Sequence, residues 1–397
     1  MKKFYSFVLA ISMLAASAFA YNWFDKRYFE LAIETPFGLS NNTVQMSDVL
    51  KKDLVIDLRQ LADRVPDNGF DMSFYTNPTF SLNLDARKFQ VSLKTGVESS
   101  ATAGFSKDLF DYIGHGNSLY ETISISQKAN LDVFVYEEIA VGFKIKDFKI
   151  VAKPCFFIPV VHAGSSNGTL TMKNLEDGTF DVNYSSDIEI YSAVDTNDKF
   201  KGFKAGLGFD FAAAVSYPLF DFLELTGNAR VPIVPGTLNY KTVRTTTLNF
   251  NTSVDRIING DKGTHDFDSK ASDTETVSYK INRPLKFGLS ADFTPFGKWL
   301  WFRGGAGMGF RHPFTDDKDS FEFFPEYYLG ATLDVFNILK TTISSQYYEQ
   351  LFIHQVEVSL NVRLLELSVG INAQASDFVR SCSGGGVGAL VAVKLGY

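Results

Sequence analysis

The chain has 397 residues, a formal net charge of −7 and 38 phenylalanines, with aromatic residues making up 15% of it. That length supports a large core and excludes a disulfide-stapled miniprotein. The acidic balance argues against nucleic-acid binding, and a mean hydropathy near zero argues against a polytopic helical membrane protein.

Residues 1–20 read as a secretory signal peptide. Lys2 and Lys3 precede an apolar run from Phe7 to Ala16, and Ala18-Phe19-Ala20 offers an A-x-A cleavage site. Residues 21–397 then form the mature chain. No later window is apolar and long enough for a membrane-spanning helix.

The first helical signal spans 47–65. Ser47 is placed to cap it, and Val49, Leu50, Leu54, Leu58 and Leu61 line one face up to Pro66. This helix is either a plug element inside a lumen or a loop element at its rim. Ser106 to Tyr112 reads as a second short helix.

Beyond the helix the chain alternates with period two. Phe89–Phe105 carries apolar residues on odd positions and Gln90, Ser92, Lys94 and Glu98 on even ones. Leu131–Ile145, the run from Phe203 to Ser216, the run from Leu285 to Phe293 and the run from Val356 to Arg363 alternate in the same way. Several runs are longer than the five or six residues usual for soluble strands and match what a membrane crossing requires.

Connection lengths alternate as well. Short turns are expected at 85–88, 146–147, 218–221, 295–298, 336–338 and 364–365. Between them lie mostly longer polar connections near 36–70, 106–128, 163–202, 235–275, 312–322 and 376–385. Short turns on one side and long loops on the other are the signature of an outer-membrane barrel. With both ends of the chain on the turn side, six turns imply about 14 strands. The fold class is therefore all-β: a transmembrane antiparallel β-barrel with one or two short helices in a plug or loop. Aromatics near the turns, such as Tyr217, Phe220, Phe222, Phe293, Phe296, Trp299 and Trp301, fit an interfacial girdle. The chain closes on an amphipathic strand ending in Tyr397, like the terminal strands that barrel-insertion machinery receives.

Asn77-Pro78-Thr79, Lys107-Asp108-Leu109-Phe110 with Gly116-Asn117, and Tyr136 to Gly142 carry a resemblance to an uncharacterised branch of the long-chain fatty-acid-transporter (FadL-like) outer-membrane barrels. The match covers about a quarter of the chain. It implies a 14-strand barrel, a hatch that blocks the lumen, and hydrophobic substrates that leave sideways through the wall. Asn77 and Pro78 are the hatch-like pair. They depart from the family in following the first helix, and Thr79 stands where the family has alanine.

Charges on the polar faces should point into the lumen, because Arg or Lys facing lipid costs about 2–4 kcal/mol at the midplane. Lys94, Glu98, Lys204, Asp210, Arg303 and Arg311 are the lumen candidates, either lining a path or pairing across it. Phe134 and Tyr136 lie on the polar register of their strand and are the candidates for a hydrophobic ligand site.

Gly164 to Gly168 fits the G-x-S-x-G pattern, but a strand rather than a helix follows, so no nucleophile elbow is expected. Cys155 and Cys382 have no partner motif. The five histidines are scattered without metal spacing, so neither cofactor nor metal is expected. The expected role is passive uptake of small hydrophobic or amphipathic compounds by a monomer in the outer-membrane lipid of a diderm bacterium. An open water-filled porin, and a structural barrel with partner-binding loops, are the alternatives. Enzymatic activity is not expected.

Overall fold

A computed structural model describes residues 27–44, 57–86, 88–116, 122–164, 168–176, 178–195, 202–253, 264–313, 322–348, 351–362, 364–382 and 385–396. The signal peptide, Ser47, the middle of the G-x-S-x-G stretch and Tyr397 lie outside the described residues.

The strands run β1 (Phe29–Asn41), β2 (Phe70–Thr76), β3 (Thr79–Asp85), β4 (Phe89–Phe105), β5 (Thr122–Ile145), β6 (Phe148–Ala163), β7 (Gly168–Asn174), β8 (Thr179–Ser192), β9 (Ala205–Gly206), β10 (Gly208–Phe220) and β11 (Leu223–Val234). They continue as β12 (Gly236–Ser253), β13 (Thr264–Ala271), β14 (Glu275–Ile281), β15 (Leu285–Phe293), β16 (Leu300–Arg311), β17 (Glu322–Val335), β18 (Leu339–Tyr348), β19 (Leu351–Val362), β20 (Leu365–Ala375) and β21 (Gly386–Gly396). Three short helices are α1 (Leu58–Arg64), α2 (Lys107–His115) and α3 (Phe378–Cys382).

The wall is a closed antiparallel barrel of 14 strands. Consecutive wall strands pair as hairpins, and β21 closes the ring against β1, with Ile33 opposite Val393. Segments β2 and β3 are two halves of one wall strand, because both pair with β1 on one side and β4 on the other. The six expected short turns all fall between wall strands at one end. The longer connections gather at the other, which we call the loop end.

Alternation sets the two faces of the wall. Leu289, Leu329, Ile343 and Ile371 point outward and are exposed. Inward positions carry hydroxyl pairs such as Thr332–Thr342 at 2.8 Å and Ser359–Ser368 at 2.7 Å. An apolar outside with a polar inside suits lipid and not water. Aromatic contacts ring both ends: Phe148–Tyr217 at 4.8 Å and Phe220–Phe222 at 5.4 Å near the turns, Phe310–Phe323 at 5.4 Å and Tyr347–Phe352 at 4.4 Å towards the loops.

Two connections expected as polar loops are sheet instead. Segment β8 pairs with β7 and β12, and β12 pairs with β13 and β14. This sheet is joined to the loop-end part of β5 through β7. At 24 residues β5 extends roughly 80 Å, well beyond a bilayer core. The inner ends of β12 and β14 turn into the barrel. There Leu238 and Ile281 are fully buried against Phe134, Tyr136, Cys155 and Phe157 of the wall.

The first helix begins later than 47 within the described residues. Asp57 caps α1 by accepting from the Arg59 and Gln60 amides. Ala62 and Leu58 of α1 lie against Gly114 of α2, and Arg64 offers its carbonyl to Arg380 of α3. Helices α1 and α2 therefore sit together at the loop end, the rim position of the two open to the sequence.

Candidate functional site

Three inward positions on β5 organise the interior. From the loop end they are Asp132, Phe134 and Tyr136, all buried. Each belongs to a different layer.

Tyr136 belongs to the innermost layer, whose centre is Arg283. This residue lies between β14 and β15 in Asn282-Arg283-Pro284, and all of its polar contacts point inward. Its guanidinium donates to Glu98 Oε2 at 2.8 and 2.9 Å, to Asp210 Oδ2 at 2.8 Å and to Cys155 Sγ at 2.9 Å. It also stacks over the Tyr136 ring at 4.4 Å. Arg230 adds a second contact to Glu98 at 3.5 Å. One arginine thus ties together β4, β5, β6 and β10 from inside.

Phe134 belongs to the middle layer, a small, partly open pocket of about 30 Å³. Phe134, Tyr75, Tyr348 and Pro284 give it apolar walls, and Asn77, Glu98, Asp132, Arg311 and His312 give it polar ones. Phe134 is held edge-on against Phe157 at 5.8 Å.

The cavity abuts a break in the wall. The register of β1 against β2 and β3 is continuous, yet pairing lapses between Thr76 and Thr79. Pro36 on β1 faces this gap and lacks the amide hydrogen a ladder needs, while Pro78 turns its backbone to β4, where its carbonyl accepts from the Val97 amide at 2.8 Å. Asn77 accepts a hydrogen bond from the Tyr136 hydroxyl at 3.0 Å, and Thr76 Oγ1 donates to the Pro36 carbonyl at 2.6 Å. Asn77 and Pro78 are therefore part of the wall, where the sequence reading placed them in a hatch. The lumen is filled instead by the β12 and β14 ends and Arg283.

Asp132 belongs to the outer layer. His162 Nδ1 lies 2.6 Å from Asp132 Oδ1, and His312 Nε2 lies 3.7 Å from Asp132 Oδ2.

The other candidates are placed as follows. Lys94 faces Glu138 across the β4–β5 ladder. Arg303 binds Asp292, with its second contact at 3.2 Å. Arg311 lies 3.4 Å from Glu322 and stacks on Phe324 at 5.3 Å. Asp210 is buried under Arg283. Further lumen charges also pair: Lys286 with Glu326 at 2.7 Å, Lys149 with Glu224 at 2.7 Å, and Lys394 with Glu34 at 3.6 Å. Pairing across the lumen, the second option open to the sequence, is what occurs.

Lys204 is a correction. The expected strand starting at Phe203 is broken at Leu207, and the barrel strand begins only at Gly208. Lys204 is exposed beside β9, bonded through its backbone to Ala193 at 2.7 Å. Outside the wall, in β8 and β12, Lys241 donates to Glu189 at 2.7 Å and holds that carboxyl below its usual range.

Sequence reasoning missed Arg283, which reads as an ordinary turn residue beside proline. It also missed His162 and His312, because alternation assigns both outward. Two backbone irregularities turn them in. A bulge in β6 pairs Val133 with Val161 but Phe134 with Pro159, so even-numbered His162 and odd-numbered Phe157 share the inner face. His312 follows the inward Arg311 with φ +46° and is buried as well.

No family model matches the sequence, and no curated protein sequence matches it. Solved structures do match. A TodX deltaS2S3 mutant, a monoaromatic hydrocarbon channel, aligns over 93% of this chain and 90% of its own with a TM-score of 0.50 at 9% identity. The toluene transporter TodX of P. putida aligns over 93% and 89% with a TM-score of 0.48 at 9% identity. A FadL homologue of Pseudomonas aeruginosa aligns over 94% and 90% with a TM-score of 0.47 at 10% identity. At such identities the first of these likenesses establishes the fold: a transmembrane barrel of the kind the FadL-like resemblance implies.

Proposed function

We propose that this chain is an outer-membrane barrel for the passive uptake of small hydrophobic or amphipathic compounds. The observation that carries the reading is the pocket walled by Phe134, Tyr75 and Tyr348, set behind the break in the β1 ladder at Pro36. A small hydrophobic ligand that widens this pocket gains by burying apolar surface at roughly 25 cal/mol per Å². From the cavity it can pass through the wall into lipid without crossing the charged turn-side lumen. The related fold of a monoaromatic hydrocarbon channel accords with this reading. An open porin needs a continuous aqueous path, and Arg283 with its partners stands across it.

Two measurements test the proposal. Liposomes carrying the purified protein should not swell in a small neutral sugar; rapid swelling would make the barrel a porin. Binding of a small aromatic compound to the protein in detergent should saturate and be abolished by Phe134→Asp, which puts a carboxylate in the apolar wall. Undiminished binding in that variant removes the cavity as the ligand site.

A further inference from the structure

We propose that Asp132, His162 and His312 bind a divalent transition-metal ion of the zinc class at the loop-side roof of the cavity. Among the described residues they are the one group of three whose ligand atoms lie within 4.8 Å of one another, and all three are buried. Two imidazoles and a carboxylate are a zinc ligand set that leaves a fourth position for water. Imidazole donors select zinc, cobalt, nickel or copper over calcium and magnesium, which prefer oxygen.

The geometry is near that of a loaded site. Donor atoms around a tetrahedral zinc, each about 2.0–2.2 Å from the metal, stand roughly 3.3 Å apart. The separations of 2.6 Å from His162 to Asp132 and 3.7 Å from Asp132 to His312 bracket that distance. An outer shell is in place too. His162 Nε2, the nitrogen turned away from Asp132, lies 3.1 Å from the Tyr279 hydroxyl. Tyr279 stacks on His162 at 5.2 Å and on Tyr191 at 4.0 Å, which fixes the ring plane. With Tyr279 accepting from Nε2, the Nδ1 lone pair is directed at the metal position. Asp132 and His312 also line the cavity, so water can reach the open position from there.

Charge favours an ion as well. A buried carboxylate requires a compensating charge, either a proton on an imidazole or a metal. Both histidines owe their inward placement to local departures from strand geometry, the β6 bulge and the positive φ of His312. The metal would clamp β5 and β6 to the end of β16 across the top of the lumen.

The test uses the full chain in detergent, stripped with a chelator and titrated with zinc by calorimetry, with folding checked by heat-modifiable gel mobility. One zinc per chain is expected, with proton release as the imidazoles lose their protons. Tyr279→Phe should weaken binding about 10–100-fold. His312→Ala should weaken it further, and His354→Ala, at the separate His354–Cys382 pair, should leave it unchanged. Cobalt in the wild type should give the intense visible bands of a four- or five-coordinate nitrogen site. Absence of saturable binding by folded wild type overturns the proposal. So does a pale octahedral cobalt spectrum, or loss of binding in His354→Ala while folded His312→Ala retains it.

Discussion

Arg283 bears on the interior more than any other single residue. Its two carboxylate partners, Glu98 and Asp210, are held in the lumen away from bulk water, and removing the guanidinium leaves Asp210 without its cation and Glu98 with Arg230 alone at 3.5 Å. Breaking a buried pair in this way typically costs 3–5 kcal/mol, that is, about 3–5 kcal/mol here. Arg283→Ala is expected to lower the unfolding free energy read from urea titration by that amount and to produce sugar-driven swelling in liposomes. Adding Glu98→Gln and Asp210→Asn should restore most of the stability while leaving the swelling. A variant that stays stable and tight would show that other groups close the lumen. Glycine at two neighbouring points makes the same layer possible. A Cβ on Gly96 would lie 2.6 Å from the Tyr136 ring, and one on Gly208 would lie 2.2 Å from Phe157. These aromatic rings lie flat over their cross-strand glycines, and that is how Tyr136 comes to lie beneath Arg283.

At the scale of elements, the break between β2 and β3 has a chemical cause that can be reversed. Replacing both Pro36 and Pro78 by valine returns one amide hydrogen on the β1 side of the gap and one on the β4 side of the strand. The double variant should bind the aromatic probe as the wild type does but deliver it to lipid more slowly, by tenfold or more in a vesicle uptake assay. Equal uptake would place the exit elsewhere. The loop-end sheet has a pH dependence of its own. The lowered pKa of Glu189 contributes stability that is present above the unfolded carboxylate value and is lost as pH falls through the folded one. Lys241 and Glu189 are partly exposed, so the contribution is about 0.2–1 kcal/mol and shows as faster amide exchange in β8 and β12 in acid.

Much of this was legible in the residues. The limits of β4 follow from uninterrupted alternation over Phe89–Phe105, and the turns at Lys146-Asp147 and Phe336 to Ile338 from the short gaps between alternating runs; Lys146, Phe336 and Asn337 adopt positive φ there, which only Asn337 favours by residue type. What stayed hidden depends on long-range placement. Segment β12 is rich in threonine and asparagine, and β8 and β14, though they alternate, lie inside long stretches dense in Asp, Asn, Ser and Lys that read as loop until their pairing is known. Asp132 and His312 are 180 positions apart, and His162 sits past a bulge that no local pattern marks.

At the scale of the whole molecule, the barrel and its contents come from different parts of one chain. The wall comes from β1 to β6, β10, β11 and β15 to β21, and the stretch between β11 and β15 supplies most of what fills it. The fold is shared with barrels only 9% identical because a closed ladder needs alternation and turns rather than particular side chains. The filling is where this chain is individual: an arginine at its centre, a cavity beside two prolines, and three buried ligand-type side chains above.

The pairing of β1 with β21 joins residues about 350 positions apart, and every other wall pairing joins consecutive wall strands. The order of assembly follows from this. The sheet can curl strand by strand as the chain is laid down, but the seam zips only when the final strand arrives. Segments β12 and β14 precede that strand by about a hundred residues. Once the seam is sealed they are enclosed by a complete cylinder of hydrogen bonds. They can then move only along the axis, towards the loop end where the rest of their sheet lies, and not sideways through the wall.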